Sequence, residues 1–173
     1  MDNICIIGAT GKLGQQLLQY PNTVSCPVRF EDFKNYQQWF DTHPKIDTVW
    51  HVARTCRKIS PRRDWHTLKL ETTAMKNLLQ TRAKDCRFVY ASTKVVYGIT
   101  NETTPLPKQN VAEAFVDNKT GVFNWPEWKT NSIVSLNGLS EQHTTYAITK
   151  LICERYISKT CSNYKILRIW DII

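Results

Sequence analysis

Three glycines, Gly8, Gly11 and Gly14, follow a short apolar run from Ile4 to Ile7 at the start of the chain, and their spacing narrows the possible folds more than any other feature. The run reads as a strand, and Leu13, Leu17 and Leu18 continue beyond it as a short helical stripe that ends near Pro21. Between the two lies Gly8-Ala9-Thr10-Gly11-Lys12-Leu13-Gly14. A glycine-rich turn between a first strand and a first helix lets backbone N–H groups come close to a pyrophosphate, and the helix N-terminus adds partial positive charge. A plain structural turn also collects glycine, so the spacing needs support from the rest of the chain.

Strand and helix signals alternate after that turn, which points to an α/β fold with a parallel sheet. Val24 to Phe30 reads as a second strand, made short or irregular by Pro27. Phe33, Tyr36, Trp39 and Phe40 recur at helical spacing. Ile46 to Val52 reads as a third strand, Leu68 to Arg82 as a helix and Arg87 to Ala91 as a fourth strand. The expected helix from Thr145 to Ser158 leads into a last strand from Lys165 to Trp170. Between them, residues 99–142 lose periodicity and become rich in Asn, Thr, Pro and Trp, as a long functional connection would. The expectation is a doubly wound parallel sheet of the Rossmann type, one domain over residues 1–173.

Composition sets the outer limits. An apolar content of 42% and a charged content of 22% are ordinary for a soluble globular domain, and 173 residues can bury a sizeable core. No run is long and apolar enough to span a membrane, and the N-terminus lacks the pattern of a secretory signal, so the expected location is cytoplasmic. Cys5, Cys26, Cys56, Cys86, Cys153 and Cys161 are scattered without a Cys-x-x-Cys pair and read as free thiols in a reducing compartment. His43, His51, His66 and His143 have no metal-ligand spacing, and no metal is expected. The net charge of +8 invites a nucleic-acid reading, but the charges are dispersed. Arg54, Arg57, Lys58, Arg62 and Arg63 come nearest to a cluster, and they follow a strand end where they could equally face an anionic small molecule.

Two further constellations carry chemistry. In Tyr146-Ala147-Ile148-Thr149-Lys150, positions i and i+4 share a helix face, so the Lys150 ammonium can bias the Tyr146 hydroxyl towards phenolate and make it usable as an acid/base. In Val89-Tyr90-Ala91-Ser92-Thr93, a strand ends in hydroxyl residues. Ligands of parallel sheets bind beyond the carboxyl ends of the strands, which puts Ser92 and Thr93 on the same rim as the glycine loop.

Taken in order, Gly8 to Gly14, His51-Val52-Ala53, Ala91 to Gly98, Tyr146 to Lys150 with Glu154 and Tyr156, and Leu167-Arg168-Ile169 resemble the extended short-chain dehydrogenases/reductases over essentially the whole chain. Asn101 to Pro107 is similar to a loop these enzymes carry after the fourth strand. The resemblance implies a nucleotide-sugar epimerase, dehydratase or reductase that shuttles a hydride through bound NADP or NAD. It implies Thr93, Tyr146 and Lys150 as the catalytic set, with Ser92 as second choice for the hydroxyl. It implies a cofactor held by Gly8, Thr10, Gly11, Lys12, Leu13, Gly14, Arg29, Val52, Ala53 and Lys150.

Four departures qualify that expectation. Arg54 stands where small residues are usual, Glu71 replaces an asparagine common in the following helix, and the connection before Tyr146 is long. The fourth is that family members continue into a substrate lobe, whereas this chain ends at Ile173, which leads us to expect a truncated form with little activity, a homodimer, or a partner chain supplying the lobe. Cofactor choice is open because Arg29 is followed by Glu31 and Asp32, although Arg29 and Lys12 lean it towards NADP. Two other readings compete: a non-catalytic dinucleotide-binding sensor or interaction module, and a basic nucleic-acid-binding domain.

Overall fold

In the computed structural model, residues 3–29, 35–53, 64–93, 96 and 141–169 are described. The elements are β1 (Asn3–Ile7), α1 (Lys12–Leu17), β2 (Thr23–Cys26), α2 (Tyr36–Thr42), β3 (Ile46–His51), α3 (Asp64–Leu78), β4 (Arg87–Thr93), α4 (Glu141–Thr160) and β5 (Tyr164–Ile169). A 3₁₀ turn, Arg82–Asp85, leads into β4. The five strands form one sheet in the order β2-β1-β3-β4-β5, and every pairing is parallel. This is a Rossmann-like, doubly wound arrangement in a single domain. Strand order reverses direction between β1 and β3, so the switch point where such sheets bind ligands lies beyond the ends of those two strands. β1 lies inside the sheet between β2 and β3, and β3 occupies its middle.

The strands form where apolar and β-branched residues run together, because a parallel strand is covered on both faces. β2 stops at Cys26, earlier than its apolar pattern reaches, since Pro27 has no N–H for the ladder. α1 is brief, and the chain turns back to β2 through Asn22, whose φ of 63° is the left-handed conformation asparagine tolerates best among non-glycine residues. The largest core cluster joins Cys5, Ile7, Val49, Phe88 and Tyr90 of the sheet to Tyr36, Trp39 and Phe40 of α2, Met75 and Leu78 of α3, and Cys153 and Ile157 of α4. Five free cysteines, Cys5, Cys26, Cys86, Cys153 and Cys161, belong to this core. Arg82 ties its lower edge together by donating to the carbonyls of His43 and Ile46, each at 3.1 Å.

α4 outruns its expected length at both ends. Residues 147–154 are all buried, so the helix is covered on every side and carries no amphipathic stripe from which its span could be read. Among the described residues, no helix is long and apolar enough to cross a membrane, and no group of three or more His, Cys, Asp or Glu could hold a metal ion.

Candidate functional site

The glycine loop sits at the carboxyl end of β1, directly over the switch point. Each glycine answers to a different constraint. Gly8 has φ +96°, and a Cβ there would lie 2.5 Å from the backbone N and Cα of Ala53. Ala53 is brought in because Val52 extends the β3 ladder past the strand end, donating to the Ile7 carbonyl at 2.9 Å. A Cβ on Gly14 would strike the Gly8 carbonyl oxygen and come within 2.7 Å of the Ala9 Cα, so the first turn of α1 packs hard against the loop. Gly11 is different. Its φ of −77° suits any residue, and a Cβ there would meet only the Gly8 oxygen at 3.5 Å, an ordinary contact.

Internal packing therefore accounts for Gly8 and Gly14 but leaves Gly11 unexplained. The backbone around Gly11 belongs to the N-terminus of α1. There Gly11 is the N-cap and no side chain supplies a capping hydrogen bond. A close approach by an external anion is what a glycine at this position permits. Thr10 and Lys12 are exposed on either side, and Leu13 is half-buried. Arg29 is exposed three residues beyond β2, on the same rim. Glu31, Asp32 and the basic cluster from Arg54 to Arg63 lie outside the described residues, as does most of the 99–142 segment.

The second part of the rim is built from β4 and α4. Lys150 is buried and donates from Nζ to the Ala91 carbonyl at 3.2 Å. The same ammonium lies 4.8 Å from the centroid of the Tyr90 ring and 5.8 Å from that of Tyr146. Two tyrosines thus flank one lysine, whereas the Tyr-x-x-x-Lys spacing alone singles out only Tyr146. Burial separates them. Tyr90 is almost fully buried, which pushes its hydroxyl well above the ordinary phenol value and keeps it neutral. Cys153, packed beside it, is pushed up to about 12 for the same reason. Tyr146 is only half-buried, near the N-terminal end of α4. Of the two, it is the one that solvent can reach.

Thr93 is the buried last residue of β4, two positions beyond the carbonyl that Lys150 holds, and pairs in register with Ile169. Ser92 has a different task. Its hydroxyl donates to Glu154 of α4, whose carboxylate also receives the Arg168 guanidinium at 3.2 Å from Nε and 2.7 Å from Nη2. This commitment weighs against Ser92 as the hydroxyl available to a ligand. Strand alternation directs Thr93 to the opposite side from Ser92.

His51 closes the interior side of the site. It ends β3, is buried between the rings of Phe88 and Tyr90, and is held neutral, pushed down to about 3 by burial and by the nearby Lys150 charge. Glu71 of α3 is also buried. The Ser92–Glu154–Arg168 network was not apparent from sequence spacing, because its members lie 62 and 14 residues apart. The available signal was an acidic residue four positions after Lys150, directly following the apolar run Leu151-Ile152-Cys153.

No protein-family model matches the chain, and no curated protein matches it in sequence. Solved structures do resemble it. They include a dTDP-4-dehydrorhamnose reductase from Bacillus anthracis in complex with NADP, at TM-score 0.63 and 16% identity, covering 98% of this chain and 54% of that one. UDP-glucose 4-epimerase from Thermotoga maritima with UDP-glucose matches at TM-score 0.61 and 18% identity, covering 96% and 54%. The Bordetella bronchiseptica enzyme WbmH in complex with NAD+ matches at TM-score 0.60 and 18% identity, covering 97% and 55%. The chain spans about half the length of these structures. At such identities the likeness establishes the fold.

Proposed function

We propose that this chain binds a nicotinamide dinucleotide across the β1/β3 switch point and carries the cofactor half of a nucleotide-sugar reductase, epimerase or dehydratase. The observation that carries the reading is Gly11, a glycine that the chain's own packing does not require, at a helix N-terminus open to an anion. In this reading the pyrophosphate lies over residues 8–14, Val52 and Ala53 line the adenosine side of the crevice, and Arg29 and Lys12 favour the extra phosphate of NADP. Structural neighbours solved with NADP and with NAD+ support a dinucleotide at this place.

The cofactor would supply the hydride. The chain's own groups would manage the proton. Lys150 Nζ lies 5.8 Å from the centroid of the Tyr146 ring, and in this reading Tyr146 acts as the acid or base beside it. Thr93 would hold the substrate oxygen whose proton Tyr146 exchanges. Recognition of a nucleotide sugar needs a concave pocket that buries most of the ligand, and in the family this chain resembles one wall follows the last strand. Titration of the chain with NADPH and NADH tests the cofactor reading; no saturable binding of either at millimolar concentration would overturn it.

A further inference from the structure

Ser92, Glu154 and Arg168 form a polar network that joins β4, α4 and β5. Ser92 and Arg168 are register partners on β4 and β5, so their side chains leave the sheet next to each other on the face that α4 covers. Glu154 meets both from above, and only 5% of it is exposed. One helical turn nearer the N-terminus, Lys150 holds the Ala91 carbonyl. Consecutive residues of β4, Ala91 and Ser92, are therefore pinned by consecutive turns of α4, through Lys150 and Glu154. Tyr146 lies one turn further along the same i, i+4, i+8 line.

Stability does not explain this arrangement well. Removing a carboxylate and a guanidinium from water is costly, and apolar side chains of similar size would often hold a helix equally firmly. Direction is what the pair adds, since a carboxylate gripped by a guanidinium fork tolerates little rotation. α4 needs such a device. With residues 147–154 buried on all sides, apolar packing gives no stripe to set its rotation, and a slip of one residue would turn Tyr146 by about 100° away from the strand end.

We propose that Glu154 is a positioning residue: gripped by Arg168 and bonded to Ser92, it fixes the rotation and register of α4 so that Tyr146 and Lys150 stand together at the end of β4. The inference rests on the reading of Tyr146 and Lys150 as the acid/base pair. Its signature is magnetic. With Nζ 4.8 Å and 5.8 Å from two ring centroids, the Lys150 ε-methylene protons should resonate upfield of those of exposed lysines.

The test is a lysine-resolved NMR spectrum of the full chain without cofactor. Glu154→Gln keeps the shape and the acceptor for Ser92 but loses the charge that Arg168 grips. It is expected to remove half or more of the Lys150 upfield displacement while the remaining amide spectrum stays native-like. Arg168→Lys, which keeps the charge but loses the fork, should remove only part of it. Ser92→Ala removes a single hydrogen bond and should move the signal in the same direction, and it decides the matter if Glu154→Gln does not fold. A folded Ser92→Ala or Glu154→Gln protein with the Lys150 signal unmoved overturns the proposal. A parallel NADPH titration of the unmodified chain keeps the two ideas apart: failure to bind cofactor would count against the catalytic reading and leave the spectral result standing.

Discussion

Gly8 is pressed against Ala53 so closely that a Cβ on the glycine would lie 2.5 Å from the alanine's backbone N and Cα, whereas a Cβ on Gly11, three residues on, would meet only the Gly8 oxygen at an ordinary 3.5 Å. The glycine loop thus divides into positions that the fold needs and one that a ligand would need. Gly8→Ala should cost about 2 kcal/mol or more, from the left-handed backbone and the clash together. Gly11→Ala should cost no more than about 1 kcal/mol, the loss of a favoured N-cap residue, and still weaken dinucleotide binding by roughly tenfold or more. Urea denaturation and titration calorimetry on the two variants separate these effects. Equal losses of stability at both positions would make the loop a structural turn.

The hydroxyl and phenol assignments can be tested wherever hydride transfer is observed, in the chain alone or with an added partner. Tyr146→Phe is expected to reduce transfer by roughly a hundredfold or more while cofactor affinity stays nearly unchanged. Thr93→Val, which keeps the shape and removes the hydroxyl, should raise the substrate KM and lower the rate. Loss of cofactor binding in Tyr146→Phe would give that residue a structural role instead.

His51 sets an acid limit on the fold. Its folded value is pushed from 6.5 down to about 3, so between those pH values the unfolded chain binds a proton that the folded chain refuses. Stability is full above the unfolded value and falls as pH drops through this window, by up to about 1.4 kcal/mol per pH unit. Urea midpoints measured from pH 7 to pH 4 should show this slope, and His51→Asn should flatten it. An unchanged slope in the variant would assign the acid sensitivity to other groups.

Much of the fold was legible because it is local. The run Ile4–Ile7, the glycines after it, and the apolar runs at 46–52 and 87–91, which form strands over 46–51 and 87–93, announce themselves by pattern. Pro27 gave warning of a shortened β2, and the strand does end one residue before it. α4 was underestimated because a helix buried all round has no periodicity to read, and Glu154 and Arg168 were visible only as part of a resemblance, with no role attached. The parts that escaped are those in which distant residues meet. Neither the second tyrosine beside Lys150 nor the pairing of Ser92 with Arg168 across two strands can be derived from spacing along one segment.

The most direct test of dinucleotide binding is titration calorimetry of the folded chain with NADPH, NADH, ATP and duplex DNA. Saturable binding of NADPH or NADH is expected, tighter than that of ATP, with NADPH ahead of NADH if Arg29 and Lys12 engage the extra phosphate, and with no comparable affinity for DNA. Absence of binding by either dinucleotide at millimolar concentration would contradict both the half-enzyme and the sensor readings, and preferential binding of DNA would return the basic charge of the chain to the centre of its function.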